Sequence, residues 1–548
     1  MQEKINCTQC NSYFKLSQKE LEFIKKFEVP NPNECYNCRL KKQMAFWPSI
    51  GRWYSRKCDA TWESIVTNYS PDSRFPVYKS EYFHSDKWSP DFLDLDMDNT
   101  VFNQLKTLQE KVPRPHQLWN NIENCQYCDD ARDSKSCYLA SSFLQCENIY
   151  YWYRVLWCKD STDLVFCWYS SLCTSLIYSR NCYKILYSAF VDDSNNGLFL
   201  YDCKNVNNCF MSWNLRNAEY CIRNKQYSKE EYFKELEKYD FASRKQIYIL
   251  QKEYEEHLKN DVYHPENFNE SCEKSSGNFM TNSNNIENWF LIENTEDGVN
   301  NFRWIVKKCM DSLSVLDWEN SYQIGVSAYL FNIKFASYCT RCKNSEYLDN
   351  CVDVENCFAC VWLKNKKYCI LNKQYTKEEY EELLPKIKMK MWKDNEYWKF
   401  FPYNMMYTWY NTTFARMHFE ETKESIEKLW GYWEEDEVNN WIQENIWDFP
   451  DNIFDIPELD SGITAICEKT WKKFNYIKQV ISLHKKINAP LFPIFHLDRI
   501  VKNYSYLTWF RQIKGKCSIS WKDITHYYPE SFWYKNIVSM EEYNKIVN

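Results

Sequence analysis

Glycine is the residue that this sequence most clearly lacks. The chain holds 8 glycines in 548 residues, whereas an average usage of about 7% would give several times as many. This scarcity excludes a glycine-rich phosphate-binding loop, and the sequence has no Gly-x-Ser-x-Gly nucleophile elbow. Tryptophan shows the opposite bias, with 24 residues.

Long apolar runs are also missing. No stretch approaches the roughly 18 uncharged apolar residues of a membrane-spanning helix, and the start, MQEKINC, lacks the apolar core of a signal peptide. The net charge of −7 gives no overall basic character, so any nucleic-acid-binding patch must be local. We therefore expect a cytoplasmic protein with no membrane partner.

Catalytic motifs are scarce as well. The eight histidines are scattered, and none forms a His-x-x-x-His pair. The acidic run DLDMDN at 94–99 lacks the glycine and the distal glutamate of a calcium loop. Asp192 and Asp193 resemble the carboxylate pair of a polysaccharide-cleaving β-helix, but turn residues explain them more simply. The sequence leans against an enzyme without excluding one.

Cysteine, in contrast, is abundant. Twenty-six cysteines without an export signal indicate a reducing compartment, with metal ligands and buried thiols rather than disulfides. Two Cys-x-x-Cys pairs near the start, Cys7 with Cys10 and Cys35 with Cys38, have the spacing of a zinc ribbon or treble clef. Between them, Ser17 and Glu20 form a capping box that opens a helix. We predict one structural Zn²⁺ bound by these four cysteines, since a closed four-thiolate shell leaves no position for substrate.

A basic, aromatic-rich stretch follows this pair of motifs. Basic residues interleaved with aromatic residues suit phosphate contacts and base stacking, so the stretch predicts contact with nucleic acid. The alternative is a solvated face around a small core. The basic residues are Arg39, Lys41, Lys42, Arg52, Arg56 and Lys57, and the aromatic residues are Phe46, Trp47, Trp53 and Tyr54.

The two ends of the chain are copies of one small domain. An offset of 460 relates Cys7 to Cys467 and Arg39 to Arg499, and an offset of 459 relates Cys58 to Cys517. The C-terminal copy has lost metal ligands, because Thr470, Phe495 and Asp498 stand where the other three cysteines would be. It keeps a basic bias through Lys485, Lys486, Arg499, Lys502, Arg511, Lys514 and Lys516.

A second repeat lies in the middle of the chain. Residues 201–232 match residues 349–380 at an offset of 148, and each copy ends in a capping box, Ser228 with Glu231 and Thr376 with Glu379. We expect the helix after Ser228 to continue to about Lys259, and the helix after Thr376 to break at Pro385.

The regions upstream of these capping boxes are rich in Cys and Asn. Short strand-like runs recur there every 8–12 residues or so between polar clusters, and we interpret them as period-2 strands. They predict a parallel β-solenoid in which Cys, Ser and Asn stack on like residues of neighbouring coils; a β-sandwich is the alternative. The further pairs Cys125 with Cys128, Cys339 with Cys342, and Cys357 with Cys360 are half zinc sites or, more simply, buried thiols.

The sequence thus predicts an α+β multidomain protein in which zinc-ribbon or treble-clef-like ends flank a Cys-rich β-solenoid in two segments with helical inserts. The domains are an N-terminal zinc ribbon (1–118), solenoid segments at 119–226 and 268–374, a helical insert (227–267), a helical or irregular linker (375–460) and a degenerate ribbon copy (461–548).

The order of several motifs resembles a large uncharacterised family of small-genome bacteria. These motifs are the two Cys-x-x-Cys pairs, VPNPNECYNCR, SDKW, VPRP, ENCQYCDDARDSKSCYLASS and the two NKQY-S/T-KEEY segments, and they cover nearly the whole chain. Members join zinc-ribbon modules to Cys/Asn-rich repeats. Some carry a CaiB/BaiF-type CoA-transferase label, which no residue pattern here supports. Members have further cysteine pairs where this chain has Thr61, Lys79 and Tyr82, which argues against a second N-terminal zinc site.

These observations favour a non-enzymatic scaffold or binding protein. Its basic ribbons would contact nucleic acid or a nucleoprotein, and the long solenoid face offers a surface for a protein partner. The alternative is a β-solenoid enzyme that acts on a polysaccharide or a nucleotide, which would need convergent carboxylates in a groove.

The bias between glycine and tryptophan suggests a further hypothesis. Some bacterial lineages translate UGA as glycine, and similar proteins have glycine where this chain has tryptophan. The residue just after a zinc knuckle often needs a positive φ, which glycine and asparagine tolerate and bulky residues do not. We therefore expect UGA codons at Trp62, Trp362, Trp398, Trp409 and Trp471.

Overall fold

The computed structural model describes residues 4–48, 53–162, 164, 168–303, 307–435, 449–507 and 509–547. Its contacts divide the chain into two units. Unit 1 consists of Met1–Gln117 and Asn267–Glu434, and unit 2 consists of Leu118–Glu266 and Glu435–Asn548. Each unit therefore joins one end of the chain to one of the two repeated middle segments.

Each unit contains a parallel β-solenoid, which confirms the predicted fold class. In solenoid 1 (residues 119–226) Tyr183 pairs with Asn195, and in solenoid 2 (residues 268–374) Phe331 pairs with Lys343, so a typical coil is 12 residues long. In solenoid 2 the pairing of Glu296 with Lys307 marks a coil of 11 residues. The strands of solenoid 1 are Trp119–Glu123, Gln126–Lys135, Tyr138–Leu144, Glu147–Leu156, Lys159–Thr162, Thr174–Ile177, Tyr183–Asp192, Asn195–Trp213, Arg216–Ile222 and Lys225–Gln226. Those of solenoid 2 are Glu273–Thr281, Asn284–Glu293, Glu296–Val299, Lys307–Glu319, Tyr322–Ser337, Lys343–Asp349, Glu355–Val361, Lys367–Ile370 and Lys373–Gln374.

The backbone of the solenoids repeats every three residues. From Asn196 to Arg223, every third residue has a left-handed φ between 48° and 55°, and the following side chain is buried in most of these triplets. The predicted period of two is therefore wrong. A left-handed residue after two extended ones turns the chain, so the 12-residue coil has four short sides with one inward side chain each. Buried inward residues include Leu200, Cys203, Val206, Cys209 and Ser212.

Side chains bridge neighbouring coils. The predicted stacking on like residues is found for asparagines, whereas the inward serine and cysteine side chains bond to backbone groups instead. The Ser188 hydroxyl donates to the Leu186 carbonyl (2.8 Å) and accepts from the Leu200 N–H one coil later (2.9 Å). Cys339 takes the same role, since its Sγ accepts from the Cys351 N–H at 3.4 Å. Left-handed asparagines form an outer ladder, in which one amide donates to the Asn or Asp 12 residues later. Such pairs are Asn121–Asp133, Asn148–Asp160, Asn205–Asn217, Asn288–Asn300 and Asn332–Asn344.

The helices occupy the chain outside the solenoids. They are α1 (Gln18–Phe27), α2 (Tyr36–Met44), α3 (Ser80–Phe83), α4 (Val101–Lys111), α5 (Lys229–Leu236), α6 (Arg244–Asn260), α7 (Lys377–Lys393), α8 (Lys423–Glu427), α9 (Lys478–Ile487), α10 (His496–Tyr504) and α11 (Met540–Val547). No helix among the described residues is long and apolar enough to cross a membrane.

Three predicted capping boxes are confirmed, and two helix boundaries are corrected. Ser17, Ser228 and Thr376 each accept from the N3 backbone N–H while the N3 glutamate accepts from the cap residue. The helix after Ser228 ends at Leu236 instead of continuing, and a separate helix begins at Arg244, where the Ser243 hydroxyl caps it. Helix α7 continues through Pro385, so the predicted break is wrong.

The two ends of the chain carry four small hairpins. These pair Ile5–Asn6 with Tyr13–Phe14, Tyr54–Lys57 with Ser64–Thr67, Ile463–Ile466 with Lys473–Tyr476, and Ile513–Lys516 with Asp523–His526. Two short parallel pairs, Val77–Tyr78 with Arg114–Pro115 and His264–Pro265 with Ile537–Val538, complete the sheets. The hairpins at matching positions show that the sequence repeat is also a structural repeat.

The inward hydroxyls give a direct test of the coil geometry. Substitution Ser188→Ala leaves the buried Leu200 N–H without its acceptor, and we expect the free energy of unfolding to fall by about 1–3 kcal/mol. Ser188→Cys is the matched control, because cysteine is an acceptor at the equivalent place in Cys339, and it should cost less. Denaturant unfolding of the full chain measures both. Equal stability of Ser188→Ala and the parent protein would contradict the ladder.

Candidate metal centre

Four cysteines converge at the start of the chain. The Sγ atoms of Cys7, Cys10, Cys35 and Cys38 all lie within 4.8 Å of one another. Cys7 and Cys10 lie on the turn of the first hairpin, whereas Cys35 is the N-cap residue of α2 and Cys38 lies in its first turn. This arrangement brings the two predicted Cys-x-x-Cys pairs together.

The turn that carries Cys7 is a knuckle, defined here as a hairpin turn from a cysteine to the fourth residue after it. The Cys7 N–H donates to the Ser12 carbonyl and the Asn11 N–H donates to the Cys7 carbonyl, both at 2.9 Å. Asn11 has a left-handed φ of 58°. The Cys35 N–H also donates to Cys7 Sγ at 3.3 Å, which links the knuckle to the start of α2. Burial raises the pKa of Cys7, and this hydrogen bond acts in the opposite direction.

The sulfur geometry fits a tetrahedral metal ion. Cys10 Sγ and Cys35 Sγ lie 3.8 Å apart, and a tetrahedron with Zn–S bonds of about 2.3 Å has edges of about 3.8 Å. Cys7 and Cys38 are buried, Cys35 is half-buried and Cys10 is exposed. Four thiolates would close the shell, so the chemistry of this donor set is structural rather than catalytic.

The electrostatics of α2 favour one thiolate in the second pair, at Cys35. A hydrogen bond from the Cys38 thiol lowers the pKa of Cys35 to about 5, and the same contact raises the pKa of Cys38. Both side chains also lie at the N-terminus of α2, where the helix dipole favours negative charge. One thiolate is therefore present at neutral pH, and a bound cation would displace the remaining protons.

The predicted nucleic-acid-binding residues have different environments. Lys57 is exposed and donates to Ser64 Oγ at 2.9 Å, and Arg56 is half-buried and pairs with Asp59. Arg52 lies outside the described residues. Lys41 and Lys42 are buried in ion pairs with Glu421 and Glu34, respectively, and Arg39 is buried as well. Of the interleaved aromatic residues, Phe46 and Trp47 are core residues.

Arg39 connects the four-cysteine module to solenoid 2 within unit 1. Its guanidinium donates to both oxygens of Asp311, at 2.7 and 3.0 Å, and to Glu20 at 3.1 Å. Asn300 donates to the same Glu20 carboxylate at 2.7 Å. Gln43, on α2, donates to the Asp311 carbonyl at 2.8 Å. Sequence reasoning missed this network because Asp311 is 272 residues away from Arg39.

Burial of this network is unfavourable for the charged form of the Asp311 carboxyl group. Burial raises the pKa of Asp311 to about 6, although Arg39 acts in the opposite direction. The ion pair therefore does not fully offset the desolvation of the carboxylate, although its two hydrogen bonds join α2 to solenoid 2. In the C-terminal copy, Arg499 keeps an equivalent local contact: it donates to the Ile494 carbonyl, as Arg39 does to the Glu34 carbonyl.

The other three hairpins carry knuckles with a single cysteine. The Trp62, Trp471 and Trp521 N–H groups donate to the carbonyls of Cys58, Cys467 and Cys517 at 2.9–3.0 Å, as Asn11 does in the first knuckle. Backbone N–H groups surround the lone thiols; Cys58 Sγ, for example, accepts from Lys79 at 3.2 Å. Within the described ranges, the four N-terminal cysteines are the one group of three or more potential metal ligands that comes together.

Most of the solenoid cysteines are buried thiols, whereas Cys125 and Cys272 are half-buried. Cys342 and Cys351 are fully buried, and Cys342 Sγ donates to the carbonyls of Thr340 and Cys351 at 3.3 and 3.4 Å. Burial raises the pKa of Cys158, Cys173 and Cys203, so these thiols stay protonated. Cysteine here acts as a small apolar residue with a weak donor.

Comparison with known proteins adds little. No protein-family model and no curated protein matches this chain. Among solved structures, one described as an acetyltransferase from Desulfovibrio desulfuricans G20 is 10% identical and has a TM-score of 0.12; the match covers 42% of this chain and 63% of that chain. A TM-score this low supports no argument about fold or function.

The zinc content of the purified protein tests the predicted metal site. We expect a single equivalent of zinc per chain in the purified protein, and its loss in Cys35→Ser, because three thiolates bind the ion much more weakly than four. Cys58→Ser is the matched control, since Cys58 lies on a knuckle without a second pair, and its zinc content should equal that of the parent protein. Elemental analysis measures both variants, and unchanged zinc in Cys35→Ser would contradict the assignment.

The Arg39 network is tested by stability. Arg39→Met leaves Asp311 buried without its partner, and we expect a loss of about 3–5 kcal/mol near neutral pH. The folded-state pKa of Asp311 lies above its unfolded value, so the penalty grows as pH rises through it and is smaller at pH 5 than at pH 8.

The matched control for this variant is Lys57→Met, which removes an exposed charge and should change stability by less than about 0.5 kcal/mol. Denaturant unfolding at the two pH values measures both variants. A pH-independent effect of Arg39→Met would contradict the account of Asp311.

Proposed function

We propose that this protein is a non-enzymatic, zinc-stabilised scaffold that binds a macromolecular partner, nucleic acid or nucleoprotein. The observation that supports this proposal is the use of solenoid side chains in ladders between coils. Because these polar side chains bond to neighbouring coils, fewer of them are left to act on a substrate. Such a surface is more typical of a rigid scaffold than of a catalytic groove.

The two solenoid carboxylates that the sequence offered as a catalytic pair are engaged within the ladders. Asp192 pairs with Arg180 at 2.6 Å, and Asp193 accepts from Asn181 at 2.9 Å. A glycosidase-like or nucleotide-directed enzyme needs two carboxylates that converge on one bond of the substrate. Because the candidate pair Asp192 and Asp193 is held by coil-to-coil contacts, the scaffold is favoured over the alternative solenoid enzyme.

The four-cysteine centre would supply rigidity to this scaffold. A bound Zn²⁺ would be held by Cys7, Cys10, Cys35 and Cys38 and would supply folding energy to a module with little core of its own. The Arg39 network would then hold the module on solenoid 2, because the side chains of Arg39, Glu20 and Asp311 are buried. The module and the solenoid of unit 1 would therefore present one fixed surface.

Nucleic-acid contact would depend on the exposed cations of the ribbons. Lys57 is exposed in the N-terminal ribbon, and Lys486 and Lys514 are exposed in the C-terminal copy. Flexible lysines of this kind form phosphate contacts that are sensitive to salt and tolerant of sequence. Arg39, Lys41 and Lys42 contribute less, since their charges are paired inside the protein.

Binding as a function of salt tests the nucleic-acid partner. We expect single-stranded RNA or duplex DNA to bind at low salt, with an affinity that falls as salt rises. Lys57→Ala should reduce the salt slope by about 1, because one phosphate contact is lost. Lys367→Ala is the control, since Lys367 is paired with Glu355 on the solenoid and should leave the slope unchanged. Fluorescence anisotropy measures all three proteins.

The absence of binding at low salt, or binding without a salt slope, would reject nucleic acid as the partner. A scaffold for protein partners would be compatible with that outcome. Hydrolysis of a polysaccharide or nucleotide by the purified protein would reject the scaffold itself.

A further inference from the structure

Tryptophan dominates an unusual backbone conformation in this protein. Outside the two solenoids, the described non-glycine residues with a left-handed φ number ten: Asn11, Glu28, Trp62, Asn395, Trp398, Trp430, Trp471, Asn488, Trp521 and Trp533. Six of the ten are tryptophans, although tryptophan supplies only 24 of 548 residues. Bulky residues are rare in this region because Cβ crowds the backbone, whereas glycine adopts it freely.

The side chains of these tryptophans contribute little stabilisation that could offset the strain of the left-handed backbone. Trp62, Trp430, Trp521 and Trp533 are 75–79% exposed, and Trp471 is 56% exposed. A left-handed conformation costs a non-glycine residue roughly 1–2 kcal/mol, and an exposed ring returns little apolar burial. Only Trp398, with a φ of 70°, packs on neighbours such as Tyr397.

The backbone around five of the six positions explains why glycine suits them. Trp62, Trp471 and Trp521 each close a knuckle with the N–H contact that Asn11 makes in the first one. Trp430 follows α8 and Trp533 follows a 3₁₀-helix at Glu530–Phe532. A left-handed residue just past a helix end is most often glycine. Two kinds of turn thus select the same residue.

We infer that the natural chain has glycine at these six positions, encoded by UGA codons that its cell translates as glycine. If UGA is translated as tryptophan instead of glycine, this one difference places tryptophan at all six positions. Without it, six separate substitutions of glycine by tryptophan would be needed. The pattern extends the sequence hypothesis to Trp430, Trp521 and Trp533. It also removes Trp409, whose φ of −71° needs no glycine.

Trp362 is not informative in this respect. It lies in solenoid 2, where left-handed residues of many types recur every third position.

Glycine at these positions would also change the chemistry of the protein surface. An exposed tryptophan beside basic residues resembles a base-stacking platform, and glycine at Trp62 or Trp471 would remove it.

The codons of the gene give the first test. We expect UGA at the six positions and UGG at Trp509, which is fully buried, lacks a left-handed φ and packs on Tyr528 with ring centroids 4.8 Å apart. Peptide masses of the protein from its natural source should show glycine at the six positions. UGG codons there, or tryptophan in those peptides, would overturn the inference.

Stability of full-length variants gives the second test. Trp521→Gly and Trp471→Gly should each raise the folding equilibrium constant about fivefold, because strain is relieved and little packing is lost. Trp509→Gly is the matched control and should lower the constant more than a hundredfold, since it leaves a cavity among aromatic rings. A loss of stability in both Trp521→Gly and Trp471→Gly would overturn the physical argument.

Discussion

The three-residue turn of the solenoid is the constraint on which much of the structure depends. Each 12-residue coil has only four inward positions, which are filled by apolar side chains such as Leu200 and Val206 or by the small polar side chains of serine and cysteine. Serine and cysteine also bond to backbone groups of their own and the next coil, as Ser188 and Cys339 do. Buried backbone N–H groups at the corners would otherwise lack acceptors. The abundance of cysteine follows largely from this geometry and not from metal binding or redox chemistry.

The two terminal ribbons show two ways to stabilise the same small fold. The N-terminal copy brings four thiols together, whereas in the C-terminal copy only Cys467 remains, with its Sγ 3.7 Å from Asp498 Oδ2. Aromatic residues pack together there: Phe474 lies beside both Tyr476 and Phe495, with ring centroids 5.2 and 6.0 Å apart. Phe495 stands where the N-terminal copy has Cys35, so this position contributes apolar burial in one copy and a potential metal ligand in the other.

The sequence predicted what is set by local spacing and missed what is set by distant partners. The Cys-x-x-Cys pairs and the capping boxes were predictable because their residues lie within a few positions of each other. The solenoid was predicted with the wrong period, although Cys125, Cys128, Cys137 and Cys146 are separated by multiples of three, a signal that gives the true one. Burial of the basic residues could not be predicted, since Lys41 pairs with Glu421, 380 residues away. The UGA hypothesis gains support from φ values, which sequence alone does not supply.

The central claim is that one metal ion bound by four cysteines orders the N-terminal module and, through Arg39, fixes it on solenoid 2. X-ray absorption at the zinc edge of the purified full-length protein tests this claim most directly. The account predicts a single shell of four sulfur neighbours at about 2.3 Å. A shell that contains nitrogen or oxygen neighbours, or a protein that folds fully without any metal, would contradict it.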